Sequence, residues 1–177
     1  MRKCTHEEIV SARAGNTNKR KLPIAVLLND IRSLYNVGSV FRTADGAGIE
    51  KVWLCGITGY PPNPQLQKTA LGSQNSVSWE YRKDARVLIR ELREEKYQIV
   101  LLEQAKGSVL YNEFEPEFPL CLVVGNEIKG VSEQLLSDCD YAVEIEMEGK
   151  KNSLNASTAF AIVAYHYRNI FKSQSAF

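Results

Sequence analysis

The chain has 177 residues, with 22 Lys plus Arg against 21 Asp plus Glu, and 44% of it is apolar. That length and composition predict one soluble domain with a real core. The near-zero net charge excludes a global basic field, so any nucleic-acid contact must come from local patches.

Residues 1–21 are polar and mixed in charge, with no apolar run in 1–8 to suggest a secretory signal. They read as a solvated N-terminal arm ahead of a single domain over 22–177. The basic ending Asn18-Lys19-Arg20-Lys21 also suits contact with a phosphate backbone. Ile24, Ala25, Val26, Leu27 and Leu28 form a first buried strand that stops at Asn29-Asp30. Asn36 then reads as the N-cap of a helix over 37–46, with Val37, Val40, Phe41 and Ala44 as its apolar stripe. Arg42 lies opposite that stripe and leans back over Gly38. With free N–H groups at the helix start, this describes a candidate anion site; the alternative is a solvated arginine beside an ordinary glycine.

A second strand is predicted over 52–55, then a Gly/Pro-rich loop over 56–64, a short helix over 65–72 carrying Lys68, and a strand over 77–81. Asp84 caps a helix over 85–96, on which Arg86, Arg90 and Arg93 read as a solvated face. The strand over 97–102 ends in a polar loop at Glu103-Gln104. Leu120, Cys121, Leu122, Val123 and Val124 predict a strand buried on both faces, stopping at Gly125. A strand over 142–147 alternates in polarity and stops at the Gly149-to-Asn155 loop. The helix over 156–165 is apolar on nearly every side, which predicts burial against its own sheet and against a second subunit. Alternating strands and helices give an α/β fold with a mostly parallel sheet flanked by helices, and strand-end loops are where such folds place ligands.

Several chemistries are absent. Gly125 and Gly130 have P-loop spacing, but Val131-Ser132 follows instead of Lys-Ser/Thr. No G-x-G-x-x-G follows a strand, no G-x-S-x-G occurs, and His6 and His166 stand alone. Cys4, Cys55, Cys121 and Cys139 make no C-x-x-C pair, so no metal or redox dithiol is expected. Cys55 and Cys121 sit in apolar strand runs and read as reduced core residues of a cytoplasmic protein. No run reaches the length of a membrane span.

Three motifs remain. They are Asn36-Val37-Gly38-Ser39-Val40-Phe41-Arg42-Thr43-Ala44, then Gly125-Asn126-Glu127-Ile128-Lys129-Gly130 after its strand, and Ser153-Leu154-Asn155-Ala156-Ser157-Thr158-Ala159. In this order and these strand-end contexts they resemble the N-x-G-x-x-x-R-T-A, G-x-E-x-x-G and S-L-N-x-S-x-A signatures of the SpoU (TrmH-like) family of RNA 2′-O-ribose methyltransferases, in the SPOUT superfamily. The resemblance spans about 24–167. One position departs: Ile145-Glu146-Met147 stands where the family has Ile-Pro-Met.

The resemblance implies an S-adenosyl-L-methionine-dependent enzyme that methylates a ribose 2′-hydroxyl in tRNA, with rRNA close behind. It also implies a homodimer and a C-terminal deep trefoil knot. Cofactor contacts fall on Gly125, Ile145, Met147 and Leu154. Asn36, Arg42, Glu127, Ser153 and Asn155 act at the ribose, and no metal is needed. Read without the family, Asn36 and Asn155 are N-caps, Ser153 a turn residue and Glu127 a surface carboxylate. A non-catalytic RNA-binding relative and a small-molecule methyltransferase are the competing readings.

Overall fold

The computed structural model describes residues 1–14 and 21–174. Seven strands form one sheet in the order β3-β2-β1-β6-β4-β7-β5. They are β1 Leu22–Asn29, β2 Ile49–Cys55, β3 Ser78–Arg82, β4 Gln98–Leu102, β5 Val109–Leu110, β6 Leu120–Val124 and β7 Tyr141–Glu144. Every paired neighbour is parallel. The α-helices are α1 His6–Ala14, α2 Leu34–Ala47, α3 Pro64–Ala70, α4 Ala85–Glu94, α5 Glu133–Ser137 and α6 Ala156–Gln174.

Both faces of the central strands are covered, which explains their unbroken apolar runs. On β1, Ile24, Val26 and Leu28 face α2, α3 and α6, joining Val37, Phe41, Leu66, Phe160 and Val163 in one core. Ala25 and Leu27 face the other way, packing with Leu88, Ile89 and Leu92 of α4 and Leu135 of α5. Alternate residues of one strand thus anchor opposite helical layers. Burying each large apolar side chain contributes about 1.5–3 kcal/mol.

The structure corrects several expectations. Residues 6–14 are helical, started by a reciprocal cap in which the Glu8 N–H donates to Thr5 Oγ1 and the Thr5 N–H to Glu8 Oε2. The T-x-x-E signature of that cap is in the sequence. Lys19 and Arg20 lie outside the described residues, and Lys21 donates to Ser78 Oγ at 3.1 Å. The helix expected over 37–46 starts earlier, because Ser33 and not Asn36 is its N-cap. The Arg-bearing face of α4 is more than solvated: Arg86 pairs with Asp138 and Arg93 with Asp140, tying α4 to the turn before β7. The last helix runs to Gln174 and is not apolar all round, since Thr158, Tyr165 and Asn169 are exposed.

Gly38 also differs from its expected role. It lies under α3, not under an open turn: a Cβ there would stand 2.2 Å from Thr69 Oγ1 and 2.3 Å from the Leu66 carbonyl oxygen. The missing side chain permits the α2–α3 crossing, a packing function. Arg42 therefore does not lie over a bare helix turn, because α3 fills the space above Gly38.

Candidate functional site

A cavity of about 380 Å³ opens at the carboxyl ends of β6, β4 and β7. Four segments wall it: 102–104, 124–130, 144–147 and 152–159. Gly125, Glu127, Ile145, Met147, Ser153, Leu154 and Asn155 all line it, so seven of the nine sequence-predicted site residues converge. Asn36 and Arg42 do not line it. A larger open hollow of about 800 Å³ lies at the opposite strand ends, around Arg93, Tyr97 and Tyr141, and carries none of the three motifs.

The 125–130 loop is folded back on itself. The Asn126 N–H donates to the Gly130 carbonyl at 3.1 Å and the Gly130 N–H to the Asn126 carbonyl at 2.9 Å. Asn126 Oδ1 accepts from the N–H groups of Ile128 and Lys129, each at 3.0 Å. Its Nδ2 donates to the Asp30 carbonyl at 2.7 Å, fastening the loop to the end of β1. Gly125 closes the base of this turn: a Cβ would stand 2.6 Å from Val131 Cγ1 and 2.8 Å from the Gly130 carbonyl carbon. The bare position is needed first by the protein's own backbone.

The loop presents Glu127 to the amino end of α2. Its Oε2 accepts from the Arg32 N–H at 3.0 Å, and its Oε1 from the Ser33 N–H at 3.1 Å and from Asn36 Nδ2 at 2.9 Å. Asn36 is buried, and its Oδ1 accepts from Asn155 Nδ2 at 2.9 Å. Asn155 Oδ1 in turn accepts from the N–H groups of Ser157 and Thr158 at the start of α6. One hydrogen-bonded chain, Asn155 to Asn36 to Glu127, therefore joins the three motifs. Partial burial pushes the Glu127 carboxyl up, but the N–H groups of Arg32, Glu127 itself and Ser33 and the Asn36 amide outweigh it and hold the group below its ordinary value. An anion at a helix amino end is also favoured by the helix dipole. The negative charge that the sequence suggested for a bound ligand at this helix is supplied by the chain itself.

Arg42 is exposed and has no hydrogen-bond or ion-pair partner among the described residues. It lies eight residues beyond the first residue of α2, about 12 Å along the axis. The Ser153 hydroxyl is likewise without a partner among the described residues, at the cavity wall. Glu146, in place of the family proline, is exposed and does not line the cavity. Sequence reasoning missed Glu103, Gln104, Asn126, Glu144 and Asn152, all at the cavity wall. The polar strand end Glu103-Gln104 was the available signal, and Gln104 Nε2 donates to the Asn152 carbonyl at 2.7 Å across the cavity edge. Among the described residues no group of three or more His, Cys, Asp or Glu could hold a metal ion.

An all-parallel sheet with a strand-end cavity, walled by two of the three motifs and hydrogen-bonded to the third, defines the class: an α/β domain with a small-ligand site at the carboxyl ends of its strands. The SpoU rRNA Methylase family profile matches residues 23–165, and the chain belongs to that family. It is similar, at 30% identity over 148 residues, to a Staphylococcus haemolyticus protein assigned to the TrmH family of tRNA/rRNA methyltransferases. That match covers 84% of this chain and 59% of the relative, so the chain spans about three-fifths of the relative's length. Among solved structures it resembles the A. aeolicus TrmH/SpoU tRNA modifying enzyme, with TM-score 0.82 and 25% identity over 96% of this chain and 85% of that one. It also resembles the AdoMet-bound rRNA methyltransferase from Sinorhizobium meliloti, with TM-score 0.78 and 28% identity over 83% of this chain and 56% of that one.

Proposed function

We propose that this chain is an S-adenosylmethionine-dependent RNA methyltransferase that methylates a ribose 2′-hydroxyl, in tRNA first and rRNA second. The observation that carries the reading is the hydrogen-bonded chain through Asn155, Asn36 and Glu127 at the rim of the 124–130 and 152–159 cavity walls. A cavity of about 380 Å³ is in the range of small-ligand sites. Ile145, Met147 and Leu154 offer apolar walls for an adenosine, and no Lys or Arg lines the cavity to oppose a cationic ligand. These residues fit S-adenosylmethionine, which when bound supplies a methyl group on a sulfonium to an oxygen nucleophile. Gly125 holds the loop closed against that ligand, and Leu154 covers it from the α6 side.

On this reading Asn36, Glu127 and Asn155 are positioning residues. Their polar atoms are engaged with one another and with backbone N–H groups, so they hold the cavity rim and the start of α2 in register. Ser153, with its hydroxyl free, and Arg42 are left for the ribose and its neighbouring phosphate. Arg42 serves the cavity of a second copy, because it stands about two helical turns from the rim of its own. The homodimer uses the outer side of α2 and α6. Of the apolar helix that the sequence offered for the interface, Phe160 and Val163 are fully buried in their own core, and Ala159 lines the cavity. Half-buried Ile162 and exposed Tyr165, beside Gly46 of α2, remain for a partner. Light scattering at micromolar concentration should give twice the chain mass; a stable monomer removes the in-trans role of Arg42. The proposal includes a C-terminal deep trefoil knot; the hydrogen bond from Gln104 Nε2 to the Asn152 carbonyl, which holds the segment before α6 at the strand-end loops, supports it. No described helix is long and apolar enough to cross a membrane, and a cytoplasmic site of action is proposed with the substrate.

The test is incubation of the intact chain with methyl-labelled S-adenosylmethionine and bulk RNA, followed by mapping of 2′-O-methylated riboses. Label appearing on ribose of one RNA class supports the reading. Binding of RNA without label transfer identifies a non-catalytic relative, and transfer to small molecules alone identifies a different enzyme. Gly125→Val should cost at least ~10-fold in cofactor affinity by calorimetry while most of the fold survives. The cause differs from simple blocking of the ligand, since the added carbons meet Val131 and the Gly130 backbone and displace the loop. Wild-type affinity in a folded Gly125→Val chain would place the cofactor elsewhere.

A further inference from the structure

We infer that Glu103 recognises the positive charge of the methyl donor and makes the cavity favour the sulfonium cofactor over its neutral thioether product. This rests on the proposed S-adenosylmethionine site and names a residue outside the three family-like motifs.

Three carboxylates line the cavity, those of Glu103, Glu127 and Glu144, and no cationic side chain does. They are not equivalent. Glu127 is taken up by the Arg32 and Ser33 N–H groups and by Asn36. Glu144 Oε2 accepts the Ser108 hydroxyl at 2.7 Å. Glu103 is half-buried at the end of β4, and its Oε1 accepts only the adjacent Gln104 N–H, at 3.1 Å. Its Oε2 has no hydrogen-bond donor among the described residues. That oxygen lies over Gly130. A Cβ on Gly130 would come within 2.4 Å of it, and the φ of +64° at Gly130 is one that glycine adopts without strain. The glycine at this turn thus leaves room for one carboxylate oxygen at the cavity wall, and no cationic side chain lines the cavity to neutralise it.

S-Adenosylmethionine carries a sulfonium, an ammonium and a carboxylate, and so one net positive charge. Transfer of the methyl group leaves the C–S bonding pair on sulfur, and the product carries no net charge. A fixed carboxylate in a partly desolvated cavity attracts the first more than the second. Glu103 therefore gives the cavity a means of retaining substrate and releasing product.

The test is calorimetry on the intact chain with S-adenosylmethionine and, separately, S-adenosylhomocysteine, for wild type and Glu103→Gln. Glutamine keeps the shape and the acceptor for the Gln104 N–H while removing the charge. The ratio of the two dissociation constants should shift by about fivefold towards the product, the size of a partly solvated charge pair. Affinity for S-adenosylhomocysteine should stay within about twofold. Glu103→Ala should shift the ratio in the same direction, which guards against an effect peculiar to the amide. Equal loss for both ligands would mean that Glu103 binds a part they share, such as the ribose hydroxyls, and overturns the inference. An unchanged ratio in both variants also overturns it. If wild type binds neither ligand, the cofactor reading itself fails; if it binds both and only the ratio prediction fails, that reading stands without a charge role for Glu103.

Discussion

Arg42→Ala is expected to give a folded dimer that binds S-adenosylmethionine normally and turns over RNA at least ~100-fold more slowly. A ribose 2′-hydroxyl is a poor nucleophile at neutral pH, so its proton must be removed or the developing alkoxide charge stabilised. No histidine lines the cavity. Arg42 is an exposed guanidinium with no partner among the described residues, on a helix whose other end is fastened to the cavity rim. A guanidinium is a poor base and a good bidentate partner for a phosphate. The favoured role is therefore to hold the phosphate beside the reacting ribose and stabilise the alkoxide. Arg42→Lys separates this from a base role. A lysine retains the charge and loses its proton more readily, but lacks the fork, so strong recovery at raised pH would favour the base. Mixed dimers test the geometry. Arg42→Ala and Gly125→Val chains, each impaired alone at cofactor concentrations below saturation, should regain activity on mixing if Arg42 acts in the partner's cavity. They should stay impaired if it acts in its own. Near-normal turnover by Arg42→Ala would remove it from the mechanism.

The second large effect is expected at Glu127. Glu127→Ala leaves the Arg32 and Ser33 N–H groups and Asn36 Nδ2 without their acceptor, and removes a negative charge from the amino end of α2. Solvent reaches this site, so the stability loss should be only about 1–2 kcal/mol, or about 3–6 °C in the thermal midpoint. The loss of turnover should be larger, about 10- to 100-fold, because a displacement of about 1 Å at the rim misplaces the reacting groups. The pH dependence follows from the direction of the shift. The folded-state pKa of Glu127 is lowered, so its contribution is complete above the ordinary carboxylate value near ~4.3 and is lost as pH falls through the folded value. Wild type and Glu127→Gln should therefore differ most in stability above about pH 5 and converge in strong acid. A difference that persists below pH ~2 would show that the carboxylate charge is not what holds the rim.

The readable part of this chain was whatever short-range pattern dictates. The run from Leu120 to Val124 announced a strand covered on both faces because a parallel sheet requires it, and Asp84 announced a helix start because its side chain caps the next turn. The strand-end positions of Gly125 and of Ser153, Leu154 and Asn155 made a cavity legible before any coordinates. What pattern could not supply was partnership across the chain. Asn36 has the right chemistry for an N-cap, but Ser33 three residues earlier takes that role, and the Asn36 amide goes to Glu127 and Asn155. Gly38 was read beside Arg42, its neighbour along the helix, whereas Thr69 and the Leu66 carbonyl decide its identity. The apolar helix over 156–165 was offered in part to a partner subunit because hydrophobicity does not say which of two surfaces will cover a residue, and Phe160 and Val163 went to their own core. Helix α1 was passed over although its Thr5–Glu8 cap is local, because its sequence lacks an apolar stripe.

The bond between Asn155 and Asn36 spans 119 residues of chain, and the cavity walls run from Leu102 to Ala159. Such a site has no existence in a half-made or half-unfolded molecule. Parallel strands inserted between earlier ones, as β6 is between β1 and β4, make these contacts non-local, which slows folding. During synthesis, Asn155 is among the last of the wall residues to leave the ribosome. A ligand that binds only the finished cavity then acts as a clamp on the whole fold, adding about 2.7 kcal/mol at 100 times its dissociation constant. The cell's supply of that ligand would set the lifetime of the protein as well as its rate of work.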